Sequence, residues 1–187
     1  MQAQRREVAD APDLDSFPRV ARGNKYEDFA IGQTWRHHWG RTLTQADNVG
    51  YCVATCAWLP LHLNVEYARA HGHPDTLINP MLVLSTTIGL SVEDLSESGG
   101  PFLGIDDCTF GVSVYPGDTL TAWSRVTDMR TSDSKPGVGI VTWLTTGVNQ
   151  RGEQVIQFVR TNMIAARGDS TPKAEGIAHD SEPLASK

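Results

Sequence analysis

Asn79-Pro80 followed by Met81-Leu82-Val83-Leu84 is the stretch that most restricts what this chain can become. Asparagine is a favoured N-cap, and a proline at the first helical position loses nothing, because that N–H has no intrahelical partner anyway. From Met81 to Leu95 the apolar residues Met81, Leu82, Val83, Leu84, Ile88, Leu90, Val92 and Leu95 fall on nearly every side of the helix so begun. A helix that is apolar most of the way round is expected to be buried. In a chain of 187 residues, one such helix calls for a sheet wrapped around it. Ser96-Glu97-Ser98-Gly99-Gly100 should end it.

The flanking segments supply that sheet. Thr34 to Trp39 reads as an edge strand broken by Gly40. Thr44 and Asp47 form a capping-box pattern. After them Val49, Cys52, Val53 and Cys56 repeat as one helix face, so both cysteines are expected as small core residues. Pro60 disfavours helical geometry in the residue before it, which should stop that helix near Leu59. Asn64 can cap a short helix over Val65 to Ala70, closed by Gly72.

The period then changes. Leu103 to Val114, Asp118 to Arg130, Val138 to Asn149 and Gln154 to Ala165 read as strands, with Leu120, Ala122, Ser124 and Val126 alternating against Thr119, Thr121, Trp123 and Arg125. Pro116-Gly117, Lys135-Pro136-Gly137 and Asn149-Gln150-Arg151-Gly152 are the turns. Helices on one face of an antiparallel sheet make an α+β fold. Residues 1–24 and 168–187 are polar and aperiodic, an expected N-terminal arm and C-terminal tail around one domain over 25–167.

Composition removes several functions. A net charge of −6 argues against nucleic acid and anionic membranes. No apolar run approaches the roughly 18 residues of a membrane span, and MQAQRREVADAP lacks the apolar core of a secretory leader. Three cysteines without a C-x-x-C pattern point to reduced thiols and a cytoplasmic protein, not to zinc. His71 and His73 flank a turn glycine with no third ligand, so no metal is expected there. His37 and His38 alternate on a strand, so one of them should face inwards. Glu93 and Asp94 should be solvated at the helix end, and Arg41 should be a surface residue or an anion contact. No phosphate loop, serine-nucleophile motif or dinucleotide fingerprint is present, and no cofactor is expected.

Four segments carry a resemblance. They are Phe29-Ala30-Ile31-Gly32-Gln33; Gly40-Arg41-Thr42-Leu43-Thr44 with Asp47; Pro60-Leu61-His62-Leu63-Asn64 followed by Glu66-Tyr67-Ala68; and Tyr115-Pro116-Gly117-Asp118-Thr119-Leu120. With their element order, the domain from Tyr26 to Arg167 resembles the MaoC-like (R)-specific enoyl-CoA hydratases and dehydratases, whose fold is a single hot-dog domain. Gly89-Leu90-Ser91-Val92 and Gly139-Ile140-Val141-Thr142, with Asn149 to Glu153, resemble the branch that acts on C5 dicarboxylic acyl-CoAs such as mesaconyl-CoA or itaconyl-CoA.

The resemblance implies a lyase that adds water to an enoyl-CoA or removes it from a 3-hydroxyacyl thioester. It needs no metal and no organic cofactor. On this chain it implies His62 as the base and the Met81 backbone N–H as donor to the thioester oxygen. Ala57, Trp58, Asn64, Asn79, Pro80 and Ser85 would line the substrate. The partners implied are an acyl-CoA or acyl-carrier thioester and a second copy of the chain, as a homodimer or higher homo-oligomer. Two positions depart from the family pattern. Ala57 stands where an Asp usually precedes the histidine by five residues, and Asn79-Pro80 stands where many relatives have His-Gly. These departures keep two alternatives open, an acyl-thioester-binding subunit with impaired catalysis and a hot-dog thioesterase, and a lone His62 can also be read as an ordinary loop histidine with its ring bonded to backbone. Trp58 would either narrow the acyl pocket or fill the core.

Overall fold

A computed structural model describes residues 16–18 and 22–168. Most of the expected arm and tail lies outside them. Residues 22–24 are held down at the far end of the central helix, because Arg22 pairs with Glu97 at 3.7 Å and Asn24 Nδ2 donates to the Asp94 carbonyl at 2.7 Å.

The described order is a 3-10 turn (Tyr26–Asp28), β1 (Thr34–Arg36), β2 (Arg41–Thr42), α1 (Gln45–Ala54), α2 (Pro60–Leu63), α3 (Val65–Ala70), α4 (Pro80–Leu95), β3 (Phe102–Phe110), β4 (Thr119–Thr131), β5 (Val138–Val148) and β6 (Gln154–Ala165). The sheet is antiparallel in the order β1-β4-β5-β6-β3, with β2 also on β4. This is the α+β hot-dog arrangement, with the sheet packed across the central helix.

Two apolar clusters join helix to sheet. Val83 and Leu84 pack with Leu120, Ile156 and Phe158 near the start of α4. Leu95 packs with Val126, Val141, Trp143 and Ile164 near its end. Burying a side chain of this size stabilises by about 1.5–3 kcal/mol. The alternation on β4 is as expected, with Leu120, Ala122, Ser124 and Val126 turned inwards.

Four expectations are corrected. The helix α4 is not enclosed all round. Val83, Leu84, Thr87, Ser91 and Leu95 face the sheet, while Met81, Ser85 and Val92 are exposed on this single chain. On α1 the buried residues are Asn48 and Cys52, whereas Val49, Val53 and Cys56 are exposed. The helix stops at Ala54, before the expected Leu59, and Cys56 follows with φ 56° in the left-handed region, which costs energy for a residue with a Cβ. The stretch expected as strand up to Val114 is regular only to Phe110, and Gly111 and Val112 make its last bonds to β6, donating to the Val155 and Gln154 carbonyls at 2.9 and 3.0 Å. It crosses to the start of α4, where Ile78 N–H donates to the Val114 carbonyl at 2.9 Å.

Between the apolar clusters lies a polar row. His37 Nδ1 donates to Asp94 at 2.6 Å, its Nε2 meets Ser124 Oγ at 2.9 Å, and Ser124 meets Thr145 Oγ1 at 2.8 Å. Asp94 is therefore tied to His37 rather than simply solvated. His37 is the inward member of its pair and His38 is exposed.

Candidate functional site

Local chemistry builds the site at the start of α4. Pro60 opens α2, a single turn that places His62 in a buried position. The His62 ring bonds the Leu77 carbonyl through Nδ1 at 2.9 Å. A carbonyl can only accept, so Nδ1 carries a proton, and in the neutral ring Nε2 keeps a lone pair. Nε2 makes no hydrogen bond to another described residue.

Asn48 connects this histidine to the helix. Its Nδ2 donates to the His62 carbonyl and to the Leu77 carbonyl, each at 3.0 Å, and its Oδ1 accepts the Asn79 N–H at 2.8 Å. Asn79 in turn caps α4. Its Oδ1 accepts the Met81 N–H at 2.9 Å, its carbonyl accepts from Leu82 and Val83, and its Nδ2 lies 3.8 Å from Cys52 Sγ. Pro80 has no N–H. The donors at this helix tip are thus all engaged within the chain, Met81 by the side chain of its own cap.

Beside the tip lies a cleft of about 130 Å³ lined by Leu77, Ile78, Pro80, Val83, Phe110 to Val114 and Val155. A larger hollow of about 490 Å³ lies beyond the other end of α4, among Ser98, Pro101, Lys135, Val138 and Met163. The smaller one adjoins Leu77, whose carbonyl holds His62, and Pro80 at the start of α4.

The structure thus brings together His62, Asn79, Pro80 and Met81. Asn64 spends its side chain capping α3, where Oδ1 accepts the Tyr67 N–H at 3.1 Å. Ser85 Oγ donates to the Met81 carbonyl at 2.8 Å from the outer face of α4. Ala57 is half-buried, with its N–H on the Cys52 carbonyl at 2.9 Å. Trp58 is 59% exposed, which overturns the reading of it as core filling. Arg41 pairs with Asp47 at 2.7 Å, and Arg69 with Glu66. Sequence reasoning missed Asn48 and Leu77. The available signal for Asn48 was its position one turn before Cys52 on α1; Leu77 acts through its backbone and leaves no side-chain signal.

Other polar clusters lack access or ligands. Ser124 and the His37 side chain are fully closed off, so the Asp94–His37–Ser124 row presents no nucleophile to a substrate. Burial holds His37 below the ordinary imidazole value, Asp94 pulls it the other way, and Arg160 and His38 add to the lowering. His73 Nδ1 meets the Tyr115 hydroxyl at 3.0 Å, and no group of three metal-ligating side chains occurs among the described residues.

The sequence profile described as mesaconyl-CoA hydratase matches residues 10–183. A mesaconyl-CoA hydratase from Haloarcula marismortui is 35% identical over 170 residues, covering 90% of this chain and 48% of the relative. A solved MaoC-domain dehydratase from Chloroflexus aurantiacus shares 31% identity at TM-score 0.75, covering 84% of this chain and 45% of that one. A Mycobacterium tuberculosis protein with a double hot-dog fold is 26% identical at TM-score 0.73, covering 80% and 46% respectively. The chain therefore spans about half the length of the curated relatives it matches. A profile match over residues 10–183 and a relative 35% identical over 90% of this chain settle the affiliation: the chain belongs to the MaoC-like mesaconyl-CoA hydratase family.

Proposed function

We propose that this chain catalyses the reversible addition of water to an enoyl-CoA, with a branched or C5 dicarboxylic acyl group of the mesaconyl type. The observation that carries this reading is His62, whose ring is anchored through Nδ1 to the Leu77 carbonyl and whose own carbonyl Asn48 joins to the Asn79 N–H at the tip of α4. In the addition direction Nε2 takes a proton from water as the oxygen attacks the β-carbon. Negative charge moves to the thioester oxygen. The Met81 N–H and the partial positive end of α4 stabilise that charge. The imidazolium then supplies the proton that the α-carbon requires, and His62 ends neutral.

A second copy of the chain completes the reading. β3 forms the outer edge of the sheet and is exposed on most of its length, including Phe102, Leu103 and Phe110. An uncovered strand edge and an apolar helix face favour self-association. A cytoplasmic location fits the three unpaired thiols, and no helix among the described residues is long and apolar enough to cross a membrane.

The test is an assay with mesaconyl-CoA, itaconyl-CoA and crotonyl-CoA that follows enoyl-thioester absorbance and free thiol together. Loss of absorbance that vanishes in His62→Ala supports the hydratase. Thiol release alone identifies a thioesterase. Ala57 favours one competing reading, a binding subunit, because no carboxylate stands in the usual place; binding without turnover of any substrate would establish it.

A further inference from the structure

We infer that Asn48 is the positioning residue of this site, fixing both the direction of the His62 ring and its separation from the tip of α4. The inference rests on His62 as the proposed base. Asn48 is fully buried in α1, which otherwise meets the site only through Cys52 Sγ, 3.8 Å from Asn79 Nδ2. Its amide uses both N–H groups and its oxygen. One N–H holds the His62 carbonyl and so fixes the backbone from which the ring projects. The other takes one lone pair of the Leu77 carbonyl. The imidazole Nδ1–H, 2.9 Å from the same oxygen, is left with the remaining lone pair and hence one direction. The Asn48 oxygen holds the Asn79 N–H, the amide of the helix-cap residue itself. One planar group thus sets the base, the carbonyl that selects its tautomer, and the oxyanion end of the helix in a single frame.

No other residue type of this size reproduces the pattern. Aspartate keeps the acceptor and loses both donors, facing two carbonyl oxygens. Leucine or alanine leaves the His62 carbonyl and the Asn79 amide without partners and takes one of two donors from the Leu77 carbonyl, and each buried orphan costs about 1–3 kcal/mol. The deeper consequence concerns chemistry. Without the Asn48 N–H on Leu77, that carbonyl is free to turn, and His62 can exchange into the Nε2–H tautomer that free imidazole prefers. In that form the ring offers no lone pair at Nε2 to accept a proton from water.

The experiment combines long-range ¹⁵N–¹H NMR on histidine-labelled protein with steady-state kinetics on mesaconyl-CoA. In the wild type we expect His62 wholly as the Nδ1–H tautomer, and Asn48 side-chain protons protected from solvent exchange. In Asn48→Ala we expect a mixed tautomer, and kcat lowered at least tenfold with KM changed less than threefold. Asn149→Ala is the matched control. It removes an equally buried asparagine that ties the β5–β6 turn through Glu153 and Arg151, and it should leave tautomer and kcat unchanged. A folded Asn48→Ala protein with an unaltered tautomer and kcat within twofold of wild type would overturn the inference. So would fast-exchanging Asn48 amide protons in the wild type, a measurement that survives if the variant does not fold. If mesaconyl-CoA is not turned over but the tautomer still responds to Asn48→Ala, the positioning role stands and the hydratase reading falls.

Discussion

Arg160 is the residue whose setting runs most against solvation. It is 1% exposed on the inner face of β6, and its Nε and Nη2 have no partner among the described residues. Its guanidinium lies 5.5 Å from the Trp143 ring centroid, a cation–π contact that offsets only part of the lost hydration. Burial pulls its pKa down to about 10. Replacing buried charge by a well-packed apolar side chain is commonly neutral or stabilising by about 1–4 kcal/mol. Arg160→Met should therefore raise Tm by a few degrees in calorimetry, and a lowered Tm would reveal a buried partner for the guanidinium. His37 makes a second prediction. Its folded-state pKa is depressed by burial, so between that value and its ordinary 6.5 the unfolded chain binds the extra proton. Its contribution to stability is present above about pH 6.5 and is lost as pH falls through the folded value. Asp94, His38 and Arg160 are the charged groups that act on it. Denaturant titrations at pH 7.5 and 5.5 should show a drop for the wild type and a smaller one for His37→Asn.

At the scale of elements, local chemistry and tertiary partners divide the labour. Gly139 on β5 is required by the 3-10 turn before β1, because a Cβ there would sit 1.9 Å from the Tyr26 ring. Gly139→Ala should destabilise by about 1–3 kcal/mol, as overpacking usually does. Adding Tyr26→Ala should recover part of that loss in urea titrations. The sequence was most legible where structure is decided within a few residues. The Thr44–Asp47 capping box, the Asn79 cap with Pro80 after it, α3 over Val65–Ala70 and β6 over Gln154–Ala165 all form where expected. It was least legible where a distant partner decides. On α1 the apolar periodicity pointed to Val49 and Val53, but the face turned inwards is the one where Asn48 finds three backbone groups to bond. On α4 the composition looked uniformly apolar, and only the sheet's position shows which side it covers. Asp94 looked solvated because His37 is far away in sequence and adjacent only in the fold. At the site, His62 and the helix start were legible from a motif, whereas Asn48 and the Leu77 carbonyl were not.

For the whole molecule, the decisive surface is the one left uncovered. β3 ends the sheet with Phe102, Leu103 and Phe110 exposed, and Met81 and Val92 open the outer side of α4. A chain of 20.4 kDa with this edge should sediment at about twice its own mass. Leu103→Lys with Phe110→Lys should return it to a monomer in analytical ultracentrifugation, while circular dichroism stays unchanged. A wild type that sediments as a monomer would remove the second copy from the proposal. The −6 charge is modest enough not to oppose such pairing strongly at ordinary salt.

The Met81 amide already has an acceptor in Asn79 Oδ1. Any guest at the helix tip must therefore enter by exchange. A neutral thioester carbonyl offers Met81 little that a side-chain amide oxygen does not, so the resting substrate gains almost nothing there. An oxygen acquiring negative charge is a stronger acceptor and wins the exchange. On the proposed hydration, the asparagine cap would act as a built-in competitor, reserving the donor for the moment of reaction and keeping substrate affinity apart from rate.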